Sequence, residues 1–463
     1  MTAPLDSLAG ALDARGPDAR DHDVLAVLLP WLPAQRWFPA KGTDVEVEHV
    51  AVLPLADPEG EAEVALHLLR MPGGALLQVP VVLRAPSAVA ADAAVVGVMR
   101  GGEQVPVVDG CHDAAALRAW LAAATYDDDA APLSARGPGE PGDLAGARVL
   151  SGEQSNTSVV LPSARPPAIL KVFRGVSAGA NPDVEIPLAL HHVGWTGAPR
   201  PLAWLTARWS DSTGEQRAHL GVLSELVLGA EDGFELACRL AGEGSSMAAL
   251  AASLGARTAQ MHHALRGAVP VSSDGRGELA SDADAVVATL QARAAAAIAA
   301  APVLREQARE ERIAEVLGQV GRLGELPPVQ RVHGDYHLGQ VLHSVDRGWS
   351  VLDFEGEPQA SAEERTRPDL ALRDLAGMLR SFDYAAAVGG ATNPGWALQA
   401  RDRLVEGYAA EAGDGGLSSE AWTALLRALE LDKALYEVVY ESRNRPTWIA
   451  IPLRGVDRLL DQA

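Results

Sequence analysis

Apolar and polar positions alternate along the first part of the chain and give way to a longer period further on. An amphipathic stretch at 24–32 (VLAVLLPWL) predicts a helix. Three alternating runs follow: VEVEHVAVLPL at 45–55, EVALHLLRM at 63–71 and LLQVPVVLR at 76–84. Period-two runs broken by proline and glycine are strand signals, and an antiparallel meander is the simplest way to join them. A short helix is expected over 113–124, then a loop rich in aspartate, proline and glycine over 126–146. Strand signals return at Ala147 to Leu150, Thr157 to Leu161 and Ala168 to Phe173; a helix begins near Asn181-Pro182, and a further strand spans about Leu220 to Leu226. From about residue 229 the period lengthens to that of helices, at 233–241, 245–266, 282–301, 303–323, 369–386, 395–412 and 418–443. No internal repeat is visible. The order predicts an α+β chain in three parts: a β-rich module over 1–100, a β-rich lobe over 101–228 and a mainly helical lobe over 229–463.

Composition narrows the class. The chain has 463 residues and a formal net charge of −22, which disfavours nucleic acid or an anionic membrane as partner and suits a small molecule. Its two cysteines, Cys111 and Cys238, have neither metal-ligand spacing nor the density of a disulfide framework, as expected in a reducing cytoplasm. The N-terminal residues lack a basic segment before an apolar run, so no signal peptide is expected, and no charge-free stretch of ~18 apolar residues predicts a membrane span. Of 39 basic side chains only Lys41, Lys171 and Lys433 are lysines. A lysine kept in so arginine-biased a chain marks a place where the two groups are not interchangeable.

The helical lobe is interrupted at 331–358 by RVHGDYHLGQVLHSVDRGWSVLDFEGEP. Apolar Val329 and Val332 lead into His333, Gly334 and Asp335; Gln340 follows five positions after Asp335. The apolar run Trp349 to Leu352 reads as a strand ending at Asp353, 18 positions after Asp335. A loop carboxylate, a side-chain carbonyl and a strand-end carboxylate form the set that phosphoryl transfer needs: one group to accept the proton of the attacking hydroxyl and two oxygen ligands for Mg²⁺. A lone His-Gly-Asp is a common turn; the joint spacing carries the reading.

HGDYHLGQ followed by LDFEGEP resembles the catalytic and metal loops of the protein-kinase-like fold, in the branch of aminoglycoside phosphotransferases and small-molecule kinases. Protein kinases carry His-Arg-Asp, an Asn five residues on, and Asp-Phe-Gly. Here Gly334, Gln340 and Glu355 depart from that pattern, which argues against a protein substrate. With the blocks below, the pattern is similar to the actinobacterial maltokinases. The resemblance implies a bilobal fold with an N-terminal cap subdomain, in which Gln35-Arg36-Trp37-Phe38 resembles the start of the cap. The first hundred residues hold no catalytic constellation, and a packing module is the plain reading of them. It further implies ATP and Mg²⁺ as cofactors, with Asp335 as base, Gln340 and Asp353 as metal ligands, and Lys171 in AILKVF at the phosphates, anchored by Glu185. The turn at 151–158 is not a Gly-x-Gly-x-x-Gly or Walker loop, but Gln154, Ser155, Asn156, Thr157 and Ser158 resemble the maltokinase phosphate loop. Glu225 falls where backbone groups hold adenine.

The last long helix supplies the candidate acceptor site. At 100° per residue Lys433, Tyr436, Glu437, Tyr440 and Glu441 share one face, opposite Leu431, Leu435, Val438 and Val439. Phenol rings with carboxylates and an ammonium suit a sugar; a solvated, salt-bridged face fits the same spacing, since Lys433 and Glu437 are an i,i+4 pair. The block DKALYEVVYESRNRPTW and RPDLALRDLAGMLRSFDYA at 367–385 are similar to maltokinase segments. The resemblance therefore assigns His337, Asp369, Lys433, Tyr436, Glu437, Tyr440, Arg443 and Trp448 to a sugar, with Arg373 and Asp374 near the same cleft. It implies phosphorylation of maltose to maltose 1-phosphate, in trehalose-to-α-glucan metabolism beside other enzymes of that route. The rivals are an amino-sugar kinase for glucosamine, an aminoglycoside phosphotransferase, and a non-catalytic kinase-like binding module. The last would be expected to lack Lys171, Asp335 or Asp353, all of which are present.

Overall fold

The computed structural model describes residues 12–13, 16, 18–40, 46–99, 104–128, 144–152, 155–212, 214–272, 277–356, 365–412 and 418–461. The chain divides into two compact units. One comprises Thr2–Leu188 and Pro199–Leu226; the other holds Ala189–Ala198 and Val227–Ala463.

The first unit contains two sheets. Helix α1 (Ala19–Leu28) opens on a reciprocal cap, in which Asp18 and Asp21 each accept the other's backbone N–H at 3.0 and 3.2 Å. It lies several residues earlier than the apolar pattern at 24–32 predicts, because that cap starts it and Pro30 has no N–H with which to continue the helical hydrogen bonds. The alternating runs become β2 (Glu48–Leu55), β3 (Glu63–Arg70) and β4 (Leu76–Leu83) of an antiparallel sheet ordered β2-β3-β4-β6-β5, with β5 at Val95–Met99 and β6 at Val105–Asp109. Helix α2 (Ala114–Ala123) covers it, capped by Asp113. The second sheet contains β9 (Thr157–Leu161), β10 (Ala168–Val172), β12 (Pro201–Asp211) and β13 (Gly214–Glu225), ordered β12-β13-β10-β9. Short strands β1 (Leu12–Asp13), β7 (Thr125–Tyr126) and β8 (Arg148–Val149) extend its edges, and β11 (Gly175–Val176) instead joins β4 of the first sheet. The hairpin β12–β13 is longer than the single strand expected at 220–226: β12 is buried on both faces and so lacks the alternation that reveals a strand. Helix α3 (Pro182–His192) follows β11.

The second unit is helical around a small sheet. Its helices are α4 (Gly233–Glu243), α5 (Ala248–Ala268), α6 (Ala283–Ala300), α7 (Gln307–Val320), α8 (Leu372–Gly389), α9 (Trp396–Ala412), α10 (Ser419–Asn444) and α11 (Ala450–Asp461). Between them lies a sheet of β14 (Glu231–Asp232), β15 (Val341–Ser344) and β16 (Gly348–Val351). Among the described residues one helix, α6, is long and apolar enough to cross a membrane, although it carries Asp284 and Arg293. It lays Leu290, Ala294 and Ala297 inward, and Arg293 pairs with Asp432 of α10 at 3.1 Å.

Candidate active site

The hairpin β15–β16 delivers the two ends of the 331–358 segment. His333 is buried; its Nε2–H donates to the Leu352 carbonyl at 2.8 Å, so Nδ1 is left to accept the Asp335 N–H at 3.4 Å. Its ring lies 5.1 Å from that of Tyr336 and 5.0 Å from that of Phe354. From α8, the Asp374 carboxylate accepts the N–H groups of His333 (2.8 Å) and Gly334 (2.9 Å), and it also meets His262 Nε2 at 3.0 Å. Gly334 has φ +90°, which a side chain rarely adopts, so glycine stands where protein kinases have arginine. The loop is thus held from behind, and Asp335 projects with 17% of its side chain exposed. Its carboxylate lies 3.7 Å from Lys433 Nζ and 3.8 Å from His337 Nε2. Burial lowers the His337 pKa despite the opposing pull of Asp335, and its Nδ1 accepts the Gly339 N–H at 3.1 Å. Gln340 closes a 3₁₀ turn, and its carbonyl accepts the Leu352 N–H at 2.9 Å, which fixes it beside the residue before Asp353. Asp353 has φ +60° and is the one non-glycine residue with positive φ among those described. An oxygen of Asp353 and one of Glu355 lie within 4.8 Å of each other. Two carboxylates and an amide carbonyl are hard oxygen donors that fit Mg²⁺.

In the other unit, Lys171 lies on β10 between Ser158 of β9 and Val222 of β13. Its Nζ pairs with Asp183 Oδ2 at 2.5 Å, which corrects the expected partner, Glu185. The two acids are two positions apart, about 200° around the helix, so only one can face the lysine. Asp183 is placed by Asn181, whose side-chain oxygen accepts its N–H at 2.8 Å; burial raises the Glu185 pKa. Gln154 lies outside the described residues. Ser155 is exposed, but Asn156, Thr157 and Ser158 are buried where β9 begins. The Asn156 and Thr157 side chains turn inward to Arg174, so they do not line the open side of the turn. Glu225 ends β13, half-buried, with its N–H donating to the Arg200 carbonyl at 2.9 Å.

The acceptor candidates separate into two sets. Lys433 stands 4.9 Å from the Tyr436 ring centroid, and Tyr436 stacks with Tyr440 at 6.4 Å. With Asp335 and His337 these form one cluster. Glu437 is not part of the open face: it is buried, and it accepts from Arg380 Nε at 2.9 Å. Glu441 is likewise buried and accepts from Tyr384 (3.0 Å) and Arg445 (2.6 Å). Helix α10 carries acids inward because arginines wait there, which apolar periodicity does not reveal. Asp369 pairs with Arg373 at 2.6 Å, and Arg373 with Asp432 at 2.7 Å. Arg443 is exposed at the helix end, while Trp448 lies 6.3 Å from the Tyr384 ring, with Arg445 4.4 Å above it.

Residues 31–113 match the maltokinase N-terminal cap domain, and residues 146–425 match the phosphotransferase enzyme family over more than half of the chain. The chain belongs to the phosphotransferase enzyme family. Among curated relatives of this phosphotransferase, a glucosamine kinase of Mycolicibacterium smegmatis is 29% identical over 68% of this chain and 80% of that protein. One of Streptacidiphilus jiangxiensis is also 29% identical, over 69% of this chain and 74% of that protein. A solved glucosamine kinase in complex with glucosamine, ADP and inorganic phosphate covers 96% of this chain and 100% of its own, with 23% identity and a TM-score of 0.62. A second crystal form of a glucosamine kinase has 24% identity and a TM-score of 0.64, covering 90% and 94%. The fold is the protein-kinase-like one of these phosphotransferases: an N-terminal cap, a β-rich lobe and a helical C-terminal part. Sequence reasoning missed Asp183 and the anchoring by Asp374. The first had a signal, an acid in the opening turn of α3; the second had none short of the folded loop.

Proposed function

We propose that this phosphotransferase is an ATP- and Mg²⁺-dependent sugar kinase that converts maltose to maltose 1-phosphate. Asp335 orients the acceptor hydroxyl and takes its proton as the new oxygen–phosphorus bond forms, while the bond to the departing ADP breaks. Lys171 and the backbone of the 151–158 turn bind the phosphates. Gln340 and Asp353 would hold Mg²⁺, which neutralises phosphate charge when bound. Family membership and the ADP complex of a glucosamine kinase support the nucleotide. Residues 1–100 are assigned to the cap, 101–228 to the nucleotide lobe and 229–463 to the acceptor lobe. The matched cap domain supports a place in α-glucan metabolism, and two free cysteines suit the cytoplasm.

The observation that carries the choice of acceptor is Lys433, 3.7 Å from Asp335 and beside the Tyr436–Tyr440 stack. The catalytic carboxylate already has an ammonium, so a second one on the substrate meets like charge in a desolvated place. Stacked rings with polar groups suit the C–H faces and hydroxyls of a neutral sugar. The relatives named glucosamine kinase favour the second reading, an amino sugar. The deciding measurement is kcat/KM for maltose, glucose, glucosamine and kanamycin at saturating ATP. Maltose is expected to lead; a higher ratio for glucosamine or kanamycin replaces this reading with the second.

A further inference from the structure

We propose that Arg174 is a positioning residue through which the cap sheet sets the 151–158 turn. The inference rests on the reading of that turn as a phosphate loop. Arg174 stands where the chain leaves one sheet for the other, between β10, which ends at Val172, and β11, which pairs with β4. The crossing is fastened on both sides. Phe173 N–H donates to Leu220 of β13 at 3.0 Å, and the Arg174 carbonyl accepts from Gln78 of β4 at 2.8 Å. The Gln78 amide donates at 2.8 Å to both the Phe173 and Leu220 carbonyls.

The side chain joins the cap to the turn. Nε donates to Thr157 Oγ1 at 2.8 Å, and the backbone N–H donates to Asn156 Oδ1 at 3.3 Å. Nη2 reaches Cys111 Sγ at 3.2 Å and Asp109 at 3.5 Å, and the guanidinium lies 4.3 Å from the Trp37 ring centroid. Arg36, next to Trp37, donates to the Ser151 carbonyl. The stretch Gln35 to Phe38, in which the sequence shows no chemistry, therefore holds one end of the turn directly and the other through Arg174. Arg174 is 1% exposed, and its Nη1 has no hydrogen-bond partner among the described residues. Burial pushes the Cys111 thiol up to about 12, so it is neutral and leaves Asp109 as the charge that faces the guanidinium. A buried charge with one long ion pair is a poor source of stability. What the planar fork does supply is fixed geometry at Asn156 and Thr157, the residues that end the turn.

Nucleotide binding tests this in the full chain, with ADP titrated by calorimetry. Arg174→Met and Trp37→Leu are each expected to weaken ADP binding by about tenfold or more, the scale of a remote misplacement at a positioned site. KM for the acceptor and kcat at saturating ATP should change by less than about twofold, a split that general destabilisation does not produce. Arg174→Lys, which keeps charge but not the fork, is expected to fall with Arg174→Met. Amide exchange in residues 155–158 should quicken in the same variants while that of β12 and β13 holds. Trp37 is only partly buried, so Trp37→Leu keeps the test open if Arg174→Met fails to fold. Ser155→Glu separates the two layers of inference. If it leaves ADP affinity unchanged, the phosphate-loop reading fails. If it abolishes binding while Trp37→Leu and Arg174→Lys bind ADP like the wild type, the positioning role is overturned and the loop reading stands.

Discussion

Asp335 is held by its backbone rather than by a tight side-chain bond. The N–H groups of His333 and Gly334 converge on Asp374, and Lys433 Nζ and His337 Nε2 lie 3.7 and 3.8 Å from the Asp335 carboxylate. Such a carboxylate is free to meet a hydroxyl. Asp335→Asn is expected to lower turnover by about 10²–10⁴-fold while ADP binding changes little; steady-state rates within a few-fold of wild type would refute the role. Across the nucleotide elements, Asp183→Asn should raise KM for ATP and Glu185→Gln should not, because Lys171 pairs with Asp183. The reverse result would restore Glu185 as the anchor. Asp374 adds a pH signature. Burial pushes its carboxyl up, but the hydrogen bonds from His262 and the Gly334 N–H outweigh burial, and its pKa lies below the usual aspartate value. A depressed pKa contributes stability that is present above the unfolded value, about 3.9, and is lost as pH falls through the folded one. The stability gap between wild type and Asp374→Asn should therefore be wide at pH 7 and narrow below about pH 4. A pH-independent gap from urea unfolding would show that the charge of Asp374 is not what matters.

Helix α10 shows how an element can be located correctly and oriented wrongly. Its extent matches the expected 418–443 almost to the residue, and Leu431, Leu435 and Val438 are buried as the apolar stripe requires. The acids at Glu430, Glu437 and Glu441 are buried too. Arg380 of α8 meets Glu437 and Asp383; Arg401 of α9 meets Glu430 at 2.8 Å; Arg458 of α11 bridges Asp383 and Glu430 at 3.0 and 2.8 Å. Helical period separates apolar from polar positions, and a charge paired in the interior is indistinguishable in sequence from a charge in water. The segment at 331–358 was readable for the opposite reason: the chemistry proposed for it depends on spacing along one stretch, His333 to Gln340 and on to Asp353, which folding does not rearrange. The partners of Lys171 and of Arg174 are side chains from other elements, and no local period encodes them. Gly455 of α11 packs against the same cluster, since an added Cβ would run into the Arg380 guanidinium. Glu437→Leu should cost about 3–5 kcal/mol, because it strips a buried arginine of a partner. Adding Arg380→Met should recover most of that loss. If denaturant unfolding shows the two losses simply adding, the pair is not coupled and the cluster is a surface-like network.

At the scale of the molecule the chain does not run through one unit and then the other. Residues 189–198 belong with 227–463 although 199–226 returns to the first unit, and the break falls inside α3. The inserted stretch supplies backbone to the β15–β16 hairpin. Gly197 accepts the Val351 N–H at 2.7 Å, at the end of β16 and two residues before Asp353. The Ala198 and Thr196 carbonyls accept from Arg347 at 2.9 and 3.2 Å. Trp195 also lines a cleft of about 750 Å³, together with His262 and Tyr408, which reach the backbone of His333 and Gly334 through Asp374. A fragment of residues 227–463 thus lacks three hydrogen bonds of the hairpin, one from Val351 and two from Arg347, a loss of about 1 kcal/mol for each bond. For a unit of this size, about 3 kcal/mol corresponds to roughly 10 °C in thermal midpoint. Joining 189–198 through a flexible linker to residue 227 should recover that difference, since both fragments lack the rest of the first unit and differ only in this stretch. The comparison is direct by calorimetry, with amide exchange at Val351 as a local readout. Equal midpoints with equal protection of Val351 would mean that β16 holds its edge unaided, and the return of the chain to this unit would then have no part in keeping Asp353 in place.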